Sequence, residues 1–184
     1  MSSQLRIINE TTLKNGEKLV IRNPVAEDAC AMINYLNTVG GESDNLLFGK
    51  DEFYLTVEKE AEHIEKVNSD VNTSMLLGVI GDRLVSIAEI RGYGRKRTAH
   101  NSELAISVKK EYWNIGVGSA MMEELLQYAR EHQTIQNISL GVKADNMNAI
   151  RLYEKFGFRQ MGVHRDFFFV NDKYYDELIM DLYL

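Results

Sequence analysis

Glu103-Leu104-Ala105-Ile106-Ser107-Val108-Lys109-Lys110-Glu111-Tyr112-Trp113-Asn114-Ile115-Gly116-Val117-Gly118-Ser119 is the stretch on which the reading of this chain turns. Glu103 to Val108 reads as a strand that leaves the core through a short loop. Two glycines then open a long helix from Gly116 to His132, with Val117, Met121, Leu125 and Tyr128 on one face. Such a junction presents several backbone N–H groups at the positive end of a helix dipole, and glycine lets an anion come close to the backbone. A pyrophosphate is the natural guest; the other reading is a tight strand-to-helix turn that needs glycine for geometry alone. Two familiar phosphate loops fail on these residues. A dinucleotide fingerprint needs a third glycine where Met121 stands, and at Gly49-Lys50 the triphosphate loop meets Asp51 and lacks its upstream glycine.

Working outward, Lys18 to Arg22 is a β-rich run preceded by the hairpin signal Asn15-Gly16, with Leu5 to Leu13 as its partner. Asn23-Pro24 is expected to start a helix, Asn23 as its cap and Pro24 as its first residue, ending at Gly40-Gly41. Residues 42–54 read as loop. Thr56 caps a second helix on which Val57, Ala61, Ile64 and Val67 recur at helical spacing. Ser74 to Ile80 and Arg83 to Tyr93 form a hairpin around Gly81-Asp82. Ile138 to Val142 is a strand, Asn146 to Phe156 a helix closed by Gly157, and the tail is two strands joined at Asn171-Asp172. The expected fold class is α/β: a mixed, mostly antiparallel central sheet of about seven strands flanked by four helices, with one strand-helix-strand crossover. Residues 1–184 read as a single domain, and 1–17 as an extra N-terminal strand or arm.

Composition bounds the function. A chain of 184 residues is long enough for one domain with a real core. Its 27 acidic against 21 basic residues, net −6, oppose a protein that grips a phosphate backbone. With 45% hydrophobic and 26% charged residues it is an ordinary globular sequence, and its apolar runs fall far short of the ~18 residues of a spanning helix. Met1 to Arg6 lacks the apolar core and cleavage site of a secretory signal, and the lone Cys30 makes no internal disulfide; the expectation is a cytoplasmic protein. Neither nucleic acid nor membrane is expected as a partner. A single proline stands beside thirteen glycines, so most of the glycines do not work with proline as turn punctuation.

A second segment narrows the function. In Asp145-Asn146-Met147-Asn148-Ala149-Ile150-Arg151-Leu152-Tyr153-Glu154-Lys155-Phe156-Gly157-Phe158, the string Asn-x-x-Ala-Ile-x-Leu-Tyr-Glu-Lys-x-Gly-Phe follows the glycine loop by about thirty residues. Together the two resemble the signature of the GCN5-related N-acetyltransferase superfamily, strongly from about residue 74 to 184 and more weakly in the N-terminal half. Within it the chain looks most like bacterial small-molecule or protein acetyltransferases. Glu103 to Val108 resembles that family's fourth strand. Trp113 is a departure, since the family usually carries Gln or Arg three residues before the first helix glycine.

What the resemblance implies is an enzyme that moves an acetyl group from acetyl-CoA to a primary amine by direct attack in a ternary complex; the alternative is a non-catalytic acyl-CoA sensor or partner-binding module on the same fold. It implies contacts to the cofactor from Ile106, Ser107 and Val108, from Asn114, Ile115, Gly116, Val117, Gly118 and Ser119, and from Asn146, whose family counterpart bonds the pantetheine arm. Transfer from a thioester needs a neutral amine, a stabilised oxyanion and a proton for sulfur. Glu103 is the expected base, acting through a water, the Val108 N–H the oxyanion donor, and Tyr153 the general acid and a cofactor contact. Without the motif, Glu103 reads equally as a solvent-facing or salt-bridged strand carboxylate, and a helix tyrosine at this spacing reads more readily as core.

The remaining features weigh less. His63, His100, His132 and His164 are scattered, so no metal is expected. Arg91, Arg95, Lys96 and Arg97 read as a solvated hairpin tip. The loop bearing Glu42, Asp44, Asp51 and Glu52 with Phe48, Phe53 and Tyr54 falls where the family builds its acceptor wall, and suits a cationic amine. The acceptor class is therefore a small-molecule or peptide amine. The apolar final strand, Leu178 to Leu184, is a candidate for pairing across a homodimer.

Overall fold

The computed structural model describes residues 4–184; Met1, Ser2 and Ser3, the start of the expected N-terminal arm, lie outside the described residues. Eight strands, β1 (Ile7–Thr12), β2 (Lys18–Arg22), β3 (Thr73–Ile80), β4 (Arg83–Gly92), β5 (Asn101–Val108), β6 (Asn137–Lys143), β7 (Arg159–Val170) and β8 (Lys173–Tyr183), form one sheet. Four helices, α1 (Ala29–Glu42), α2 (Val57–Ser69), α3 (Val117–Glu131) and α4 (Met147–Lys155), cover its faces. The strand order is β1-β2-β3-β4-β5-β6-β8-β7, with β5–β6 the parallel pair and α3 as its crossover. The fold class is the expected one, with one strand more than anticipated.

The two helical layers divide the core. Leu125, Leu126, Met121 and Met122 of α3 and Ile150 and Tyr153 of α4 pack on Leu76, Ile90, Leu104, Ile138, Leu140 and Met180. Met32, Tyr35 and Val39 of α1 and Ile64 and Val67 of α2 pack on Met75, Leu77 and Ile87. Strand alternation then decides what looks out elsewhere. Leu104, Leu140 and Met180 point under α3 and α4, and Leu178 packs against the same cluster. Their neighbours Glu103, Ser139, Gly141, Glu177 and Ile179 therefore stand on the opposite face, beyond the strands that α1 and α2 cover.

Three local expectations change. Asn23 does not cap a helix that starts at Pro24: its side-chain oxygen accepts from the Arg6 N–H at 2.6 Å, tying down β1. The chain makes a 3-10 turn at Ala26–Asp28 before α1 begins, and Asp28 holds that turn by accepting from the Val25 N–H at 2.8 Å and from both Arg22 amino groups at 2.7 Å. Those donors keep the Asp28 carboxyl below its usual range despite burial, which pushes the other way. Nor do Gly40 and Gly41 end α1, which runs to Glu42. A side chain at Gly40 would collide with the Gly49 carbonyl oxygen, so this glycine admits the returning loop instead of stopping the helix. The final strand, third, is hydrogen-bonded to β6 on one edge and β7 on the other. Both edges being used, β8 is not the strand that could pair across a dimer.

Candidate active site

The site is made by two strands that part company. β5 and β6 pair only from Asn101 to Glu103 against Asn137 to Ser139. Past that point β5 stays with β4 as far as Val108, and β6 stays with β8 as far as Lys143. The sheet therefore opens into a wedge with its apex at Glu103 and Ser139. Within β5 the hydrogen-bonding direction alternates, and Tyr93 N–H to Asn101 O (3.0 Å) and Lys109 N–H to Val85 O (2.9 Å) show that odd-numbered residues serve β4. The N–H groups of Ile106 and Val108 accordingly face the gap, with no neighbouring strand to bond.

A cleft of about 1070 Å³ passes through this wedge. Glu103, Ile106, Ser107, Val108, Asn114, Gly116, Gly118, Ser119, Asn146 and Tyr153 all line it. Ile115 and Val117 do not: Val117 is buried, and Ile115 gives its carbonyl to the Lys14 N–H at 3.0 Å. Ser107 has its hydroxyl 3.0 Å from that of the buried Tyr35, which joins β5 to α1. Burial drives the Tyr35 phenol upward, so it stays protonated.

The glycine loop has reasons of its own within the fold. Asn114 and Gly116 both adopt positive φ, 63° and 110°, and Gly116 occupies the N-cap position of α3. Glycine there offers no capping side chain, and none is supplied from elsewhere among the described residues. By contrast, Thr56 caps α2 and Asn146 caps α4 by accepting from the Ala149 N–H at 3.3 Å. The first turn of α3 thus keeps donors for an outside anion. At Gly118 a Cβ would sit 3.2 Å from Leu152, so this glycine lets α4 approach. Trp113 turns inward and donates its indole N–H to the Val108 carbonyl at 2.7 Å, pinning the loop to the end of β5.

Glu103 is exposed and accepts a 2.8 Å hydrogen bond from the Tyr93 hydroxyl. That bond, more than burial, holds the Tyr93 phenol above its ordinary value. Tyr153 is 7% exposed, rests against Phe158, and is pushed up to about 12 by burial alone. The loop expected as the acceptor wall contributes only in part. Glu42, Leu46, Leu47 and Phe48 line the cleft, but Asp51, Glu52, Phe53 and Tyr54 do not. Glu52 accepts from the Gly49 N–H at 2.9 Å, and Asp44 from the Asn171 amide at 3.1 Å. Glu42 also accepts from the Lys110 N–H at 2.7 Å, binding the end of α1 to the start of the glycine loop.

Residue-by-residue reading of the sequence missed five charged groups on the cleft wall: Lys14, Glu89, Arg151, Lys155 and Glu177. Arg151 and Lys155 belong to the recognised helix motif and are legible as its cleft-facing cations. Nothing local marks Lys14 or Glu177. Cys30 is exposed on α1 and does not line the cleft. Among the described residues no group of three or more His, Cys, Asp or Glu is placed to hold a metal ion, and no helix is long and apolar enough to cross a membrane.

Comparison with known proteins bears on the fold and the family. The family model described as Acetyltransferase (GNAT) family matches residues 45–158. The crystal structure of an acetyltransferase of the GNAT family from Streptococcus pneumoniae superposes with a TM-score of 0.87 at 30% identity, over 90% of this chain and 99% of that one. L-amino acid N-acetyltransferase AaaT of Escherichia coli K12 is 27% identical over 154 residues, 81% of this chain and 95% of the relative. The structure of yncA from Salmonella typhimurium, solved with its cofactor acetyl-CoA, shares the fold at a TM-score of 0.78 and 16% identity, over 96% of this chain and 94% of that one.

Proposed function

Because the chain belongs to the acetyltransferase (GNAT) family, we propose that it moves the acetyl group of acetyl-CoA to a primary amine by direct attack in a ternary complex. The observation that carries this reading is the wedge between β5 and β6, which leaves unpaired N–H groups on Ile106 and Val108 beside an uncapped helix start. The residues present fit the cosubstrate. The first turn of α3 and the Asn114–Gly116 loop suit its pyrophosphate, Lys14 adds a cation nearby, and the β5 edge suits its pantetheine amides. Asn146 spends its carbonyl oxygen on the α4 cap, so its amide N–H groups are what it offers the pantetheine arm.

The gap-facing N–H groups then stabilise the oxygen that gains charge as the amine attacks, in a site already oriented for it. Tyr153, kept protonated by burial, donates to the departing sulfur. Glu103, exposed at the apex and ordered by Tyr93, collects through a water the proton that an ammonium must lose, since free alkyl amines titrate near 10. Of the loop carboxylates only Glu42 lines the cleft; Glu89 of β4 is paired there with Arg91, so the acidity of the acceptor side comes from Glu42, Glu103 and Glu177, which suits a cationic small-molecule or peptide amine. The reaction fits the cytoplasm, where acetyl-CoA and free amines meet.

Release of CoA thiol in the presence of acetyl-CoA and L-amino acids, an alanine-starting peptide or spermidine tests this reading. Tyr153→Phe should lower kcat about 10²-fold or more and leave the calorimetric Kd for acetyl-CoA within twofold. Equal losses in both would make the ring a packing residue, and absence of thiol release with every acceptor would remove the enzymatic reading.

A further inference from the structure

Gly141 is a glycine without a turn to make: it lies mid-strand in β6, where glycine is disfavoured. A Cβ at this position would overlap the Glu177 Oε1 atom and lie 2.7 Å from its carboxyl carbon. The side chain of Glu177 therefore reaches from β8 onto the space that a residue of β6 would otherwise fill. It is 14% exposed and lines the same cleft as Ile106 and Tyr153.

Position along the wedge distinguishes Glu177 from Glu103. Glu103 is level with Ser139 at the apex. Ile106, with the first free gap-facing N–H beyond the apex region, is three residues further, roughly 10 Å along the strand; Gly141 is two residues further, roughly 7 Å. Measured along the strands, a thioester oxygen on the Ile106 N–H lies about one residue step from the level of the Glu177 carboxylate and about three from Glu103, and one on the Val108 N–H, the donor expected from the sequence, about three and about five. Glu103 is moreover turned to Tyr93.

We propose that Glu177, lying over Gly141, is the carboxylate that takes the proton directly from the incoming amine. The inference rests on the acetyl-transfer reading above and deepens it, replacing Glu103 as the first acceptor of the amine's proton and leaving it as the exposed end that returns protons to water. The ammonium first gives one proton to Glu177. Its nitrogen lone pair then forms the N–C bond to the thioester carbonyl, and the C–S bond breaks with its electron pair going to sulfur. The second nitrogen proton, lost as the intermediate collapses, returns to the Tyr153 phenolate in place of the one handed to sulfur, and Glu177 passes its proton to water.

The surroundings favour such a base. Burial raises the Glu177 carboxyl, while His164 of β7, at 3.9 Å, lowers it more weakly. Lys143, its register partner on β6, bonds both oxygens of Asp145 at 2.6 Å and lies over the Tyr175 ring at 3.5 Å, so its charge is already engaged. Across the cleft stand Glu89 and Arg91 of β4, which pair with each other at 2.8 Å, and Glu103 of β5. Arg151 and Lys155 of α4 are the cations on the wall of that helix.

The test uses the full chain, acetyl-CoA and whichever acceptor of the panel above the wild type turns over fastest. Glu177→Gln should lower kcat/KM about 10²- to 10³-fold at pH 7 and replace the acid limb of the pH profile by a rate that climbs with the free-amine fraction. The Kd for acetyl-CoA should stay within twofold, and Glu103→Gln should cost less than tenfold. Adding Gly141→Asp to Glu177→Ala should restore at least tenfold over Glu177→Ala alone, because the new side chain enters the same space from β6. The proposal is overturned by a Glu177→Gln enzyme within threefold of wild type, by a change in KM with an unaltered pH profile, by a larger loss in Glu103→Gln, or by a double variant no better than the single one. A wild type that releases no thiol with any acceptor sinks the acetyl-transfer reading and this inference with it; active wild type with unimpaired Glu177→Gln sinks only the inference.

Discussion

Replacing Trp113 by Phe keeps the ring and deletes one hydrogen bond, the 2.7 Å contact from the indole N–H to the Val108 carbonyl. A hydrogen bond of this kind contributes about 1 kcal/mol net. The carbonyl lies on the open edge of β5, where water can reach it, so the stability loss should stay at or below that figure, roughly 2–4 °C in Tm for a domain of this size. The larger consequence falls on binding. Trp113 fixes the approach to Asn114 and Gly116, whose positive φ values aim the loop at the start of α3. If the deleted bond had held the loop in its binding conformation, about 1 kcal/mol is released to competing loop conformations, and the Kd for CoA should rise about fivefold. Calorimetric titration of CoA into both proteins measures this, with thermal melts as the control. A Kd unchanged within twofold beside a lowered Tm would mean that the indole supports only the fold. Tighter binding would mean that the freed Val108 carbonyl is itself a cofactor contact, and would refute the reasoning outright.

Gly116→Ala and Gly118→Ala should separate: the first forces a side chain into positive φ and should cost about 1–2 kcal/mol, whereas at the second a helix-propensity gain of up to about 1 kcal/mol offsets the 3.2 Å contact with Leu152, and urea midpoints should show that difference. Glu60 is 2% exposed in α2 with no partner for Oε2 among the described residues, and burial raises its carboxyl, opposed more weakly by His63. Its native value lies above its unfolded one, so its contribution to stability is intact below the ordinary carboxyl range and is lost as pH rises through the raised value. Glu60→Gln should therefore gain on wild type from about pH 4 upward, and an equal difference in urea midpoint at pH 4 and pH 7 would contradict the assignment. Tyr35→Phe should loosen α1 from β5 by about 0.5–1.5 kcal/mol through loss of the Ser107 bond, read as a lower urea midpoint; an unchanged midpoint would show that water replaces the hydroxyl.

Much of the fold was legible because its signals are local. Hairpin turns at Asn15-Gly16, Gly81-Asp82 and Asn171-Asp172 declare themselves in neighbouring residues, and Gly16, Gly81, Asn171 and Asp172 do take positive φ. Thr56 caps α2 as its sequence suggests. The errors arose where a side chain found a distant partner. Asn23 was a good cap until the Arg6 N–H competed for it, and Gly40 looked like a stop because the loop at Gly49 that packs on it was not visible in the local pattern. The acidic loop read as an acceptor wall through the family resemblance, yet Glu52 and Asp44 found their own donors and only part of the loop turned toward the cleft.

The site divides in the same way. Sequence alone determined that a strand, a glycine loop and a helix meet beside a second helix bearing Tyr153, because each of these is a run of adjacent residues whose pattern survives without its neighbours. Its net charge of −6 did not exclude an anionic guest, because backbone amides at a helix start need no basic patch to bind one. Only the tertiary structure decided where β5 and β6 stop pairing, hence which N–H groups are free, and that Glu177 lies over Gly141. Those facts depend on β8 entering the sheet between β6 and β7, a pairing between residues far apart in the chain whose register is set by the packing of both faces, which no short window of sequence contains.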